Sequence, residues 1–173
     1  MDLRIVATDR ISNFQTDAVD LAVRYGRPPF GTGLKAELLF DEVIIALASP
    51  FVVEKLGKPD KGDNMVRYAL LHDAHNFWPQ FLDKALKRGL SAPTKNIRFN
   101  QTSLAIDAAI AGQGLALASR FFVEEDIATG RLVRVFPSEL HVGAGFYIVA
   151  PRKPRHPIPV AAVTKWLFAE ATK

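Results

Sequence analysis

The stretch NIRFNQTSLAIDAAIAGQGLALAS, Asn96 to Ser119, is the part of this 173-residue chain that decides its predicted fold. A short β-type run ends in polar residues, a helical pattern of small apolar residues follows, and two glycines precede a second apolar run. Gly112 is placed to end the helix in a left-handed conformation, and Gly114 eases the tight return into the next strand. This order of elements is typical of a crossover connection in an α/β sheet.

Strands and helices alternate in the same way over almost the whole chain. Apolar periodicity predicts strands over 2–8, 20–25, 34–40, 42–48, 65–71, 95–100, 115–118, 132–136 and 145–150, and helices over 12–19, 50–56, 79–88, 102–111, 121–128 and 157–172. Ser12 is the predicted N-cap of the first helix. The alternation predicts an α/β fold built on doubly wound, mostly parallel sheets.

The polar turn after the strand at 95–100 is the first candidate binding site. In open α/β sheets, ligands bind beyond the carboxyl ends of the strands, where the first N–H groups of the next helix favour a negative group. Asn100, Gln101, Thr102 and Ser103 place amides and hydroxyls there. The alternative is that Thr102 only caps the helix.

Two other strand ends carry polar side chains. Arg24 follows an apolar run, and a guanidinium at that position can grip a carboxylate with two hydrogen bonds. The alternative is a solvent-exposed arginine at a strand end. His72 and Asp73 end another strand; a zinc pair of His72 and His75 would have loose spacing and no third ligand, so no metal site is predicted.

Composition and motifs exclude several classes of protein. Hydrophobic residues make up 49% of the chain and charged residues 23%, which fits a globular domain, and the lack of cysteine excludes disulfide frameworks and cysteine nucleophiles. No G-x-S-x-G, P-loop or H-E-x-x-H motif occurs, so neither an enzyme nor a cofactor is predicted. No secretory signal and no apolar run of roughly 18–20 residues is found, so we expect a cytoplasmic protein without a membrane span.

The net charge of +4 does not by itself predict binding to nucleic acid. The basic residues are scattered, and no helix-turn-helix, zinc-finger or aromatic RNA-binding signature accompanies them. We therefore expect this chain alone not to bind DNA.

Several segments together resemble one known family. The segments DLAVRYG, LKAELLFDEVIIALASP, LLHD, RFNQTSLAIDAAIAGQGLALASRFFVEEDIATGRLVRVF and GFYIVAPR resemble the effector-binding domain of LysR-type transcriptional regulators, in the subgroup of the glycine-cleavage activator. The resemblance implies a two-lobed, type 2 periplasmic-binding-protein-like fold. Lobe I would hold residues 1–45 plus 139–173, and lobe II residues 46–138.

The resemblance also implies a function and a site. A small, anionic metabolite would bind in the inter-lobe cleft and alter a homodimer formed by the effector domains. The family's cleft positions fall on Arg24 and Tyr25, on His72 and Asp73, and on the turn from Asn100 to Ser103. DNA would be contacted only through a helix-turn-helix domain that this chain does not contain.

One departure from the family concerns the beginning of the chain. The first strand and first helix of lobe I are expected to be missing, which would leave backbone groups of the sheet without partners. Either residues 2–8 pair beside residues 20–25, or another copy of the chain supplies a strand.

Three other functions stay open at the level of sequence. They are a solute-binding protein for transport, an enzyme that uses His72 as a base, and a dimerisation partner of full-length regulators that lacks a DNA-binding domain of its own. The absence of an export signal and of an acid–base pair makes the effector sensor the preferred hypothesis.

Overall fold

The computed structural model describes residues 2–8, 10–61, 63–85 and 95–172. Within these residues the chain forms seven strands, five α-helices and one 3-10 turn at Asn64–Arg67. The strands are β1 Ala22–Gly26, β2 Leu34–Ala48, β3 Ala69–His72, β4 Lys95–Arg98, β5 Leu115–Ser119, β6 Val133–Arg134 and β7 Leu140–Pro151. The helices are α1 Pro50–Leu56, α2 Trp78–Ala85, α3 Thr102–Ile110, α4 Arg120–Ala128 and α5 Pro157–Ala171. No described helix has the length and apolarity that crossing a bilayer requires.

The chain divides into two compact units. Unit 1 comprises the described residues of Met1–Asp41 and Gly143–Lys173, and unit 2 comprises those of Glu42–Val142. The long strands β2 and β7 each begin in one unit and end in the other. The chain therefore passes between the units within regular strands.

Unit 1 is built on the strand order β1-β7-β2. β1 runs antiparallel to β7, with Arg24 opposite Tyr147. Phe40 stacks on Phe146 with ring centroids 4.8 Å apart. The predicted inner face of α5, formed by Val160, Val163, Leu167 and Phe168, is half-buried.

Unit 2 is built on the strand order β2-β5-β3-β4, with β6 also paired to β2. β3 is parallel to both β4 and β5, whereas β2 is antiparallel to β5 and to β6. The α/β architecture is confirmed, but the expected predominance of parallel pairing is wrong. The reason is that the strands joining the units pair antiparallel with their neighbours, as β2 does with β5.

The sheet of unit 2 is buried on both faces. The side chains of β2 alternate: Ile44 and Ala46 join a core with Trp78 and Phe81 of α2, and Ile45 joins a second core. The second core is formed with small residues of α3 and with α4, namely Ala105, Ala108, Ala109 and Val123. Small residues on α3 allow the helix to lie close to the sheet.

Helices with clear local signals form where they are predicted. Ser49 caps α1 by accepting a hydrogen bond from the backbone of Val52, and Gly57 ends the same helix. Gly112, with φ +75°, ends α3 in the expected left-handed conformation. Its N–H donates to Ala109 O, and the next N–H donates to Ala108 O, the pair of bonds typical of this helix ending.

Two predictions near the beginning of the chain are wrong. Residues 2–8 form no strand, and apolar side chains there, such as Ile5, are exposed, so their β-type pattern gains neither pairing nor burial. The predicted helix at 12–19 is a single turn closed by bonds to Asn13 O, and Ala18 with φ +52° ends it. β1 pairs only with β7 among the described strands, so the proposed rescue by residues 2–8 is also wrong.

Smaller differences concern strand boundaries. The runs predicted at 34–40 and 42–48 form one continuous strand, β2, which passes through exposed Asp41 without a break. The first part of the strand predicted at 65–71 belongs to the 3-10 turn. Residues 86–88, the end of the helix predicted at 79–88, lie outside the described residues.

Candidate functional site

Four polar side chains meet the carboxyl edge of the sheet in unit 2. Because β3, β4 and β5 are parallel, the chain leaves all three at the same edge, where Asp73, Thr102 and Ser119 follow or end the strands. β2 is antiparallel to β5, with Ile44 opposite Ser119, so Glu42 reaches the same edge. We call Glu42, Asp73, Thr102 and Ser119 the edge cluster.

Asp73 and Thr102 are joined by a short hydrogen bond. The Thr102 hydroxyl donates to Asp73 Oδ2 at 2.6 Å, and the backbone N–H of His75 donates to Asp73 Oδ1 at 3.0 Å. The N-cap of α3 is Gln101, whose side chain makes no capping bond. The expectation that Thr102 only caps the helix is therefore wrong, because its hydroxyl instead holds a carboxylate.

Glu42 and Ser119 are buried and incompletely paired. Glu42 is 7% exposed and Ser119 is 2% exposed. Glu42 Oε2 and Ser119 Oγ make no hydrogen bond of ordinary geometry within the described part of the chain. Sequence reasoning missed both residues; a carboxylate directly before the apolar run VIIALA was the signal available.

The charge of Glu42 is disfavoured where it lies. Burial raises the pKa of the Glu42 carboxyl, the adjacent Ser119 hydroxyl lowers it, and the Asp73 carboxylate raises it again. The net pKa lies above the ordinary value of 4.5. Among the described residues no cationic side chain forms an ion pair with Glu42 or Asp73. The edge cluster is thus acidic and unneutralised by the residues described.

His72 is occupied by neighbouring amides. It is 6% exposed; its Nε2 lies 2.6 Å from Asn96 Oδ1 and its Nδ1 lies 3.3 Å from Asn76 Oδ1. His75 stacks on Phe77 instead of joining His72 in a zinc pair. Within the residues that the structure describes, no three His, Cys, Asp or Glu side chains are arranged so that they could hold a metal ion.

Arg24 and Tyr25 belong to unit 1, where both make internal contacts. Arg24 Nη2 donates to Ser12 O at 2.7 Å, and the guanidinium lies 5.2 Å from the ring centroid of Phe14. The Tyr25 ring packs against Phe146 at 5.2 Å. Arg24 is therefore half-buried by its own unit rather than freely exposed at the strand end, as the alternative expectation had it.

Asn100, Gln101 and Ser103 lie at the edge of unit 2 with exposed side chains. They surround the beginning of α3, next to Thr102. The structure therefore brings the predicted turn residues and Asp73 to one edge, and leaves three of them open to solvent.

A groove of about 840 Å³ elsewhere in unit 2 contains none of the predicted site residues. It runs along α1 and β6 and is lined by charges of both signs, Glu54 and Asp60 against Lys58 and Arg134. This balanced lining does not indicate a ligand charge.

We expect Glu42→Gln to stabilise unit 2 at neutral pH. A carboxyl whose pKa is raised by folding contributes stability below the unfolded-state pKa, and that stability is lost as pH rises through the folded-state pKa. The amide should therefore raise the melting temperature at pH 7.5 by about 2–4 °C, on the order of 1 kcal/mol, and by less at pH 4. Calorimetry at the two pH values measures this.

The matched control is Glu124→Gln, an exposed glutamate of α4 in the same unit. It should leave the melting temperature unchanged at both pH values. A Glu42→Gln variant that melts at or below the wild-type temperature at pH 7.5 would contradict the expectation.

Comparison with known proteins assigns the family. A sequence model of the LysR substrate binding domain matches residues 1–172. The chain belongs to the LysR substrate binding domain family. The glycine cleavage system transcriptional activator of Escherichia coli K12 is 30% identical to this LysR domain over 172 residues. That match covers 99% of the chain but 56% of the relative, so the LysR domain spans about half the length of that relative.

Solved structures show the same fold. The effector domain of the transcriptional regulator AmpR of Pseudomonas aeruginosa matches 99% of the LysR domain, with 81% of its own length covered, a TM-score of 0.74 and 24% identity. The AmpR effector binding domain of Citrobacter freundii matches with a TM-score of 0.76 and 18% identity, over 99% and 84% of the two chains. The expected type 2 periplasmic-binding-protein-like fold is confirmed.

Proposed function

We propose that this LysR domain is the effector-sensing module of a transcriptional regulator, and that its effector is a small molecule bound at the carboxyl edge of unit 2. The observation that supports this most is the edge cluster, where Glu42 and Ser119 are buried with polar atoms left unpaired. Unpaired buried groups cost free energy in the folded protein, and a ligand that pairs them recovers it.

Asp73 and Thr102 form the rigid part of the proposed site, since their side chains already hold each other at 2.6 Å. Asn100, Gln101 and Ser103 are the proposed adaptable contacts, because their side chains are exposed beside that pair. Arg24 and Tyr25 of unit 1 remain predictions from the sequence, and Arg24 Nη2 already donates to Ser12 O.

The curated relative is named as a transcriptional activator, which favours regulation over transport and over catalysis. Pairing of two copies through this domain, and DNA contact through a separate domain, remain proposals for the whole protein. Sedimentation of the purified chain at several concentrations measures whether it self-associates.

A thermal-shift screen with amino acids and small organic acids tests the proposed site. A ligand present at about 100 times its Kd stabilises the folded state by about 2.7 kcal/mol, which should raise the melting temperature by roughly 5–10 °C. Thr102→Val should abolish most of that rise, because the hydroxyl that orients Asp73 is lost.

The matched control is Thr129→Val, at the opposite end of α4 from Ser119. Nine helical residues separate the two ends by about 13 Å, so the ligand-induced rise should persist. A rise of equal size in the Thr102→Val variant would contradict the site, and no rise with any compound would contradict the proposed function.

A further inference from the structure

We infer that the edge cluster selects a ligand carrying a primary ammonium group, with Glu42 and Ser119 as direct contacts that the sequence did not indicate. The inference rests on the proposed function and names the ligand class of that same site. It replaces the expected anionic metabolite by a molecule whose recognised group is cationic.

The first step of the argument is charge. Glu42 lies two residues before Ile44, which is opposite Ser119 at the end of β5, and Asp73 directly follows β3, the parallel neighbour of β5. The two carboxylates therefore lie at the same edge, and the Asp73 carboxylate contributes to the raised pKa of Glu42. Within the described residues neither has an ion-pair partner. An anionic group brought to Glu42 would add a third negative charge, whereas a cation would relieve the existing repulsion.

The second step is the pattern of hydrogen-bonding groups. Glu42 Oε2 and Ser119 Oγ are both buried and unpaired, and both oxygens can accept a hydrogen bond. A primary ammonium has three donors and no acceptor, so its hydrogen-bonding groups complement a site whose unpaired oxygens can accept. A ligand carboxylate can only accept hydrogen bonds. It could accept one from the Ser119 hydroxyl, but it could donate none to Glu42 or Asp73.

The third step is burial. A charge-assisted hydrogen bond is stronger where water is excluded, and only 7% of the Glu42 surface is exposed. Thr102 donates to Asp73 Oδ2 and the His75 N–H donates to Asp73 Oδ1, so that carboxylate is held in place by two hydrogen bonds. The cluster is therefore preorganised for a compact cation instead of being a set of mobile surface acids.

The experiment compares matched compounds that differ in one group. Calorimetric titration of the purified chain would use L-leucine, 4-methylpentanoate and 3-methylbutylamine, and the same set of amino acid, deaminated acid and decarboxylated amine built on L-phenylalanine and on L-alanine. We expect binding only for members that carry the ammonium group, and at least ~10-fold weaker binding to Glu42→Gln and to Ser119→Ala.

Controls separate this inference from the proposed function. Glu124→Gln should bind as the wild type does, and circular dichroism melts show that each variant is folded. Binding of the deaminated acids with an affinity unchanged in Glu42→Gln would overturn the ammonium inference while retaining the sensing function. Absence of heat with every compound, together with no thermal shift in the wider screen, would overturn both.

Discussion

Replacing Trp78 by alanine should lower the free energy of unfolding by about 3–5 kcal/mol, because the largest side chain in the core of unit 2 would be lost. Trp78 is 2% exposed and meets Phe81 edge-to-face with ring centroids 5.9 Å apart. Its Nε1 donates to Leu71 O at 2.8 Å, so α2 is fixed to β3 by a hydrogen bond as well as by packing. The melting temperature should fall by roughly 10 °C in calorimetry.

A second variant separates the two contributions of this residue. Trp78→Phe keeps most of the ring but removes the bond to Leu71 O, and should cost about 1–3 kcal/mol. The other tryptophan provides a control, since Trp166 on α5 is 53% exposed and Trp166→Ala should change stability by less than about 1 kcal/mol. Equal losses for Trp78→Ala and Trp166→Ala would contradict the proposed packing.

Gly114→Ala should be the second most destabilising change, at roughly 3 kcal/mol. A Cβ at this position would overlap the carbonyl oxygen of Ala69 and lie 3.1 Å from its carbonyl carbon. Both atoms belong to backbone at the start of β3, which pairs with β5 at Leu70 and Leu115, so no side chain can move aside. The two strands would have to separate at the buried start of β5.

Gly130→Ala is the appropriate comparison for that change. Gly130 has φ +73° with no atom within 4 Å of an added Cβ, so alanine there meets backbone strain without a clash. We expect a cost of about 1 kcal/mol. Chemical denaturation of both variants measures the difference, and a smaller loss for Gly114→Ala than for Gly130→Ala would contradict the argument from overlap.

The elements that were predicted correctly are those whose signals are local. α1 begins after Ser49 and ends at Gly57, and α3 ends at Gly112, as caps and glycines specify within a few residues. The strand predicted at 2–8 and the helix predicted at 12–19 did not form, because most side chains in these segments are not buried. A run of apolar residues becomes a strand only if a partner strand or a core receives it.

The candidate site was predictable in part for the same reason. Asp73 and Thr102 follow strands, and the rule that ligands lie beyond strand ends points to them. Glu42 and Ser119 come together only through the antiparallel register of β2 and β5, which joins positions 44 and 119. No spacing within one segment of the sequence reveals that register, so the more deeply buried half of the site was missed.

The chain has only two tryptophans, and each unit contains one of them, Trp78 in unit 2 and Trp166 in unit 1. Their exposure to solvent differs, since the Trp78 indole is buried and the Trp166 indole is exposed. Intrinsic fluorescence therefore carries two separable signals: a blue emission band shielded from iodide reports on unit 2, and a red, quenchable band reports on unit 1. With Trp166→Phe and Trp78→Phe as single-fluorophore proteins, the same optical titration can assign an effector's influence to one half of the molecule without any added dye.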